Sequence, residues 1–255
     1  MYFPIRDQEG VLHMNRQNKH TMQQRAVIQI PAALAAIIPM ALITIWMYVL
    51  RDSAPDQSEF FLGPLLVGGG FIFWLLYLHI VVCRDSLHTL GFGIDGFWLD
   101  VATGIGLGLG FLVLRALTQP ILNGLFAPRP PNTEIFQLIY SISNNPWLLV
   151  LWLGPVVWIG IAGFEELWRV FVLRRLWNVA TGAAGKWGVL LLISALVGAA
   201  HGYQGPAAII SIGFKSILMA WFFMSTGRIR PLIVSHAIYD SVQIVMAVIA
   251  IRGAL

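Results

Sequence analysis

Residues 147–176 read WLLVLWLGPVVWIGIAGFEELWRVFVLRRL, and this stretch decides the fold class. Its first part, residues 147–164, has no charged side chain, and a helix needs about 20 apolar residues to cross the hydrocarbon of a bilayer. Three ionisable residues follow at once, namely Glu165, Glu166 and Arg169. Because charges at membrane depth are costly unless they are paired or hydrated, the stretch predicts a membrane span that carries a functional site.

The rest of the chain has the same apolar character. Of its 255 residues, 58% are hydrophobic and 11% are charged, and the mean hydropathy is +0.76, which excludes an ordinary soluble domain. Apolar runs that could span a membrane lie at residues 27–50, 60–83, 97–118, 147–164, 187–203, 206–225 and 231–251. We predict an all-α, polytopic transmembrane helix bundle of about seven to eight spans, the fourth of which continues into the Glu-rich segment.

Lysine and arginine indicate the orientation of this bundle. With a cytoplasmic N-terminal segment at residues 1–26, the inner segments hold Arg6, Arg16, Lys19, Arg25, Arg84, Arg174, Arg175, Lys186, Arg228 and Arg230, and the outer segments hold Arg51, Arg129 and Arg252. This bias follows the positive-inside rule. It also accounts for the net charge of +4, so no nucleic-acid partner is needed to explain that charge.

Other sequence features limit the possible chemistry. The single cysteine, Cys83, excludes an intramolecular disulfide and a cysteine-based metal site. Glycine runs at residues 68–70 and 104–110 lie in apolar spans and follow no predicted strand, so they favour close helix packing over nucleotide binding. The proline-rich stretch FAPRPPNTEIF, residues 126–136, predicts an outer loop followed by a short amphipathic piece.

Two further polar elements lie in the late spans. His201 occurs in ALVGAAHGYQG, and His236 and Asp240 occur in PLIVSHAIYDSVQ. The HxxxD spacing places an imidazole and a carboxylate on one helix face, as a pair of metal ligands or a base with its orienting group requires. If these helices converge on the glutamates, the pocket has the minimum equipment for amide hydrolysis, namely a base for water and donors for an oxyanion.

Each element also has a purely structural interpretation. The charged cluster around Glu165 could be the cytoplasmic end of a helix, His201 could be an interfacial cap, and His236 with Asp240 could be a hydrogen-bonded structural pair. Lys215 and His79 are interpreted as snorkelling or packing residues, and Asp100 as a cap or a member of an ion pair. We favour a functional site because three such elements occur together.

Taken in order, these motifs resemble the CAAX protease and bacteriocin-processing (CPBP) family of intramembrane proteases. The resemblance rests on the di-glutamate segment with Arg169, then His201, then His236 with Asp240, and the stretch RDSLHTLGFG at residues 84–93 resembles the segment that precedes the family's core. It implies a CPBP-type protease core at residues 84–255 that follows N-terminal transmembrane helices at residues 27–83. It further implies an integral protein of the bacterial inner membrane that hydrolyses a membrane-associated or lipidated peptide or protein.

The resemblance also implies roles for single residues. Glu165 or Glu166 and His201 would activate water, and His236 with Asp240 would stabilise the oxyanion or bind metal. His201, His236 and Asp240 are therefore the expected ligands of a divalent metal such as zinc, although a metal-free glutamate mechanism uses the same groups. We expect Glu165 to be the pocket carboxylate, because it lies four residues before Arg169 and could pair with it.

The sequence departs from the family pattern at three points. The family's EExxxR motif is one residue short here, so an alignment without a gap places Phe164 in the first glutamate position and Glu165 in the second. Val197 replaces the usual Phe of FxxxH, and Asp240 replaces the commoner Asn. These departures keep two alternatives open, a non-catalytic immunity or scaffolding protein of the same fold and a small transporter with a proton relay.

One expectation concerns depth in the membrane. With the spans as drawn, His201 lies at the far end of its helix, whereas Glu165 lies near the inner surface. The two can meet only if the Glu-bearing helix extends toward residues 156–177, or if the fifth span begins earlier and tilts.

Overall fold

The computed structural model describes residues 27–45, 63–93, 95–126 and 133–253. The predicted N-terminal segment, residues 1–26, lies outside the described residues, as does most of the proline-rich stretch. Regular structure in the described residues is helical throughout, with no strand.

The described residues form α-helices in the following order. Their bounds are α1 Val27–Ile45, α2 Gly63–Tyr77, α3 Phe97–Leu125, α4 Thr133–Asn144, α5 Pro146–Leu151, α6 Phe164–Trp177, α7 Gly182–Ala200, α8 Pro206–Thr226 and α9 Arg230–Gly253. Wide π-helical turns at Leu78–Val82 and Trp152–Gly163 extend α2 and join α5 to α6, and single 3₁₀ turns lie at Leu87–Leu90 and Gly202–Gln204. Seven helices in the described residues are long and apolar enough to cross a membrane, which confirms the predicted polytopic helical bundle.

Two predicted boundaries were wrong. Helix α3 does not stop at residue 118 but continues through Pro120 to Leu125. Membrane helices tolerate a proline inside the helix. The fifth span begins at Gly182 instead of residue 187, whereas the fourth continues into the Glu-rich segment as predicted and runs from Pro146 to Trp177. The glutamates therefore lie inside a span, which removes the conflict in depth between Glu165 and His201.

Small residues allow close helix contacts, as the sequence predicts. Gly68 of α2 lies against the backbone of Gly160, so a Cβ at either position would collide with the other segment. Gly104 and Gly108 of α3 lie against α9, where Val234 occupies the space that a Cβ on Gly104 would need. Gly106 faces open space, so only alternate glycines of the 104–110 run make this contact.

Helix α6 occupies the centre of the bundle. Its residues Val170, Phe171 and Leu173 have no exposed surface and pack in the main hydrophobic core. Trp168 is also buried, and its indole Nε1 donates a hydrogen bond to the backbone oxygen of Ala36 in α1 at 2.9 Å. These contacts fix both the position and the rotation of the helix that carries the glutamates.

Charged side chains pair where α2, α3, α6 and α9 begin or end at one end of the bundle. Arg175 contacts Asp85 at 2.5 Å and Nδ1 of His79 at 2.6 Å, so His79 is part of an ionic network and not only a packing residue. Asp100 pairs with two arginines, Arg228 at 2.7 Å and Arg230 at 2.9 Å, which confirms the ion pair that the sequence suggested for it.

Candidate active site

Glu165 of α6 lies between two imidazoles that come from other helices. Its Oε1 is 3.7 Å from Nε2 of His201, which follows α7, and its Oε2 is 3.9 Å from Nε2 of His236 on α9. The structure therefore brings two imidazoles, one after α7 and one on α9, within 4 Å of a carboxylate of α6. Their catalytic role remains a prediction, whereas their proximity is a property of the fold.

Glu166 belongs to a different set of contacts. It is fully buried, its Oε1 accepts a hydrogen bond from Nδ1 of His236 at 2.7 Å, and its Oε2 pairs with Arg169. Arg169 in turn donates from Nε to Oγ of Ser216 on α8 at 3.1 Å. The expected pairing of Arg169 with Glu165 was therefore wrong. Successive residues of a helix point about 100° apart, so Glu165 and Glu166 face different directions. Nδ1 of His236 on α9 lies on the side of Glu166.

Both histidines are held in the same way. Nδ1 of His201 lies 2.8 Å from the backbone oxygen of Val197, and Nδ1 of His236 lies 2.7 Å from the Glu166 carboxylate. Because both partners can only accept, each Nδ1 carries the hydrogen and each Nε2 is left to face Glu165. Fixing one ring nitrogen sets the orientation of the other, which is how a site prepares an imidazole for proton transfer or ligation.

Asp240 lies one helical turn after His236 on α9. Its Oδ2 is 3.4 Å from Nε2 of His236, at the i,i+4 spacing that the sequence predicts. The Asp240 side chain is 22% exposed, so it forms the more open side of the site. His236 consequently contacts three carboxylates, two of them through the nitrogen that faces Glu165.

A cavity of about 180 Å³ leads to Glu165 and His201. Its walls come from α1, α6 and α7, and they are apolar apart from the site residues and Thr44: Ile37, Met40, Ala41, Thr44, Ile45, Glu165, Trp168, Leu196, Val197, Ala199, Ala200 and His201. The Glu165 side chain is 18% exposed and the Glu166 side chain 0% exposed. Of the two glutamates, only Glu165 can therefore meet a water molecule or a substrate.

The donors around Glu165 are of the type that zinc prefers, since two imidazole Nε2 atoms and carboxylate oxygens face one space. In the described part of the chain, however, no group of three or more His, Cys, Asp or Glu side chains is placed to hold a metal ion. The arrangement does not fit a metal as it stands, so the steps derived below use side chains alone. The metal expected from the sequence stays a prediction.

Sequence reasoning missed several members of the site. Ser216, which anchors Arg169, has no motif of its own, and the contact of the Val197 carbonyl with His201 is made by the backbone and not by the side chain that the FxxxH pattern specifies. The wall that α1 contributes, including Thr44, was also not foreseen.

The fold and these contacts define a membrane helix bundle with a buried glutamate and histidine cluster. Residues 145–242 match a family model described as Rce1-like, type II CAAX prenyl endopeptidase Rce1-like. The match includes all six predicted site residues and confirms the resemblance to this family of intramembrane proteases over that part of the chain. No curated protein and no solved structure matches the chain.

Proposed function

We propose that this protein is an intramembrane endopeptidase in which Glu165 is the general base. The observation that carries the proposal is the position of Glu165, which lies between two Nε2 atoms at the polar end of an otherwise apolar cavity. A general base must lie within reach of a water molecule and beside groups that stabilise developing charge. Glu165 meets the first condition by its exposure and the second through His201 and His236.

The reaction follows from these positions. The Glu165 carboxylate removes a proton from water, and the oxygen adds to the carbonyl carbon of the scissile peptide bond. When His201 or His236 is protonated on both ring nitrogens, its Nε2–H donates a hydrogen bond to the resulting oxyanion while its Nδ1–H stays with its own acceptor. The proton held by Glu165 then passes to the leaving amine as the carbon–nitrogen bond breaks, which regenerates the carboxylate.

Glu166 and Arg169 have positioning roles in this proposal. Glu166 holds Nδ1 of His236, and Arg169 neutralises the carboxylate that does so. Ser216 fixes the guanidinium from α8, so the chain of contacts passes from α8 through α6 to α9. A buried charge pair of this kind contributes orientation at the site more than net stability.

The substrate we propose is a lipid-modified or strongly apolar peptide. The cavity beside Glu165 is lined by aliphatic and aromatic groups of α1, α6 and α7, which suit a hydrocarbon chain. The matching family model is described as a CAAX prenyl endopeptidase, which supports a prenylated peptide as the first substrate to test. We further propose a bacterial inner-membrane location with the N-terminus in the cytoplasm, on the distribution of Lys and Arg.

The test is hydrolysis by the purified full-length protein in detergent micelles. A quenched fluorescent peptide with a prenylated cysteine is expected to be cleaved by the wild type and not by Glu165→Gln. The same peptide without the prenyl group is the substrate control and is expected to react more slowly. Equal fluorescence release by wild type and Glu165→Gln, or none by either, would count against the protease and favour the non-catalytic scaffold.

A further inference from the structure

A second cavity, of about 120 Å³, lies between α3, α8 and α9. It shares no lining residue with the cavity beside Glu165: its walls are Phe111, Leu114, Arg115, Thr118, Leu122, Ile210, Ser211, Phe214, Lys215 and Tyr239. Two of these residues, Arg115 and Lys215, are cations inside candidate membrane spans. The function proposed above uses neither of them.

Neither cation has an anionic partner among the residues that the structure describes. Arg115 donates from Nη1 to the Tyr239 hydroxyl at 3.3 Å, and the Lys215 ammonium lies 4.2 Å from the centre of the Tyr239 ring. Within the part of the chain that the structure describes, neither forms a salt bridge with a carboxylate. Lys215 is 7% exposed, and a cation so deeply placed in a span is costly without an anion.

Two residues that line this cavity are sequence neighbours of residues at the candidate active site. Lys215 precedes Ser216, which holds Arg169, and Tyr239 precedes Asp240, which contacts His236. The first cavity lies on the α1 side of this cluster and the second on the α3 side. The cluster thus separates the two cavities, and a peptide that reaches both would pass from the α1 side to the α3 side.

We infer that this second cavity is a subsite for the free C-terminal carboxylate of the peptide substrate. A carboxylate could accept hydrogen bonds from the guanidinium of Arg115 and the ammonium of Lys215, and the Tyr239 hydroxyl keeps its own hydrogen to donate. Lys215 lies near the middle of α8, at a depth that a substrate end reaches more readily than the phosphate of a lipid headgroup. The volume suits a carboxylate with one side chain.

This inference rests on the proposed peptide substrate, but its test measures binding and not hydrolysis. Full-length protein carrying Glu165→Gln is titrated with a fluorescent apolar hexapeptide as the free acid and as the C-terminal amide. The amide is expected to bind about ten- to hundredfold more weakly, as loss of charge-assisted hydrogen bonds implies. Arg115→Gln, at an exposed position, and Lys215→Met should each bring the ratio of the two affinities toward one.

Lys186→Met is the matched control, because Lys186 stacks on Trp177 and lines neither cavity. It should leave the acid-to-amide ratio unchanged. The subsite is overturned if both peptides bind equally well, if the free acid shows no saturable binding, or if the ratio survives in both cavity variants. A second outcome would assign the cavity to a lipid phosphate. In that case the two peptides bind equally well, phosphatidylglycerol stabilises the protein, and Arg115→Gln removes that stabilisation.

A preference for the free acid that depends on Arg115 and Lys215 supports the subsite even if the wild type hydrolyses nothing. In that case the proposed hydrolysis fails while the carboxylate site remains. Hydrolysis without any difference in affinity between acid and amide would support the proposed hydrolysis and overturn the carboxylate site.

Discussion

Oε1 of Glu166 accepts a hydrogen bond from Nδ1 of His236 at 2.7 Å, across the contact between α6 and α9. This contact directs Nε2 of His236 toward Glu165, the residue that precedes Glu166 in the chain. Two adjacent carboxylates thus have separate tasks, one accessible and facing the cavity, the other buried and holding an imidazole. The predictions below test this division.

Glu165→Gln should abolish turnover and leave the fold intact. Loss of a general base lowers the rate by about 100- to 10,000-fold, and the amide is nearly the same size in a partly exposed position. Hydrolysis of the prenylated reporter and the thermal unfolding midpoint are measured on the same preparation. A variant that keeps near-full turnover would move the role of base away from Glu165.

Glu166→Gln should lower stability first. It leaves the guanidinium of Arg169 buried without its counter-ion, and breaking a buried ion pair on one side costs about 3 to 5 kcal/mol. The double variant Glu166→Gln with Arg169→Met should recover at least half of that loss, because no charge is then left unpaired. If the loss of stability in the double variant equals the sum of the losses in the two single variants, the pair is not coupled.

Asp240→Asn should be mild compared with His236→Gln. An Asn side-chain oxygen can still face Nε2 of His236 from the same helical position, so turnover should fall less than about tenfold. His236→Gln removes a group next to Glu165 and should cost more than about 100-fold. Measured kcat values of the two variants within threefold of each other would contradict this ranking.

Filling the apolar cavity should weaken substrate binding without disabling the chemistry. Ala41 of α1 lines the cavity, and a tryptophan there would occupy much of its 180 Å³. Ala41→Trp is expected to raise KM for the prenylated peptide about tenfold, equivalent to about 1.4 kcal/mol, with kcat nearly unchanged. Ala102→Trp on an exposed face of α3 is the control, and an equal rise in KM there would remove the cavity from substrate binding.

Chelation decides between the side-chain mechanism and the metal expected from the sequence. Because the described residues contain no group of three or more donors placed to hold an ion, turnover should stay within about twofold of its starting value after exhaustive chelation. Elemental analysis of the same sample serves as the control for completeness. A loss of more than about tenfold that added zinc restores would establish the zinc site that His201, His236 and Asp240 suggested.

Local spacing could not decide which glutamate pairs with Arg169. On a helix, both the i,i+3 and the i,i+4 neighbour can reach an arginine, so the sequence permits Glu166 and Glu165 equally. Packing made the choice, because His236 approaches Glu166 from α9 and Ser216 holds the guanidinium from α8. Prediction of this pair from the sequence therefore failed for a reason that lies outside α6.

The sequence by itself determined the class of the fold, the approximate positions of the spans and six residues that meet at the candidate site. Transfer into a bilayer depends on local composition and run length, and ionisable groups within such runs stand out against that background. Only the tertiary structure decided how deep the spans run, which ring nitrogen faces Glu165, and that α1 closes the cavity. These properties depend on contacts between helices distant in sequence, such as Trp168 with Ala36, and neither residue carries a local pattern for that contact.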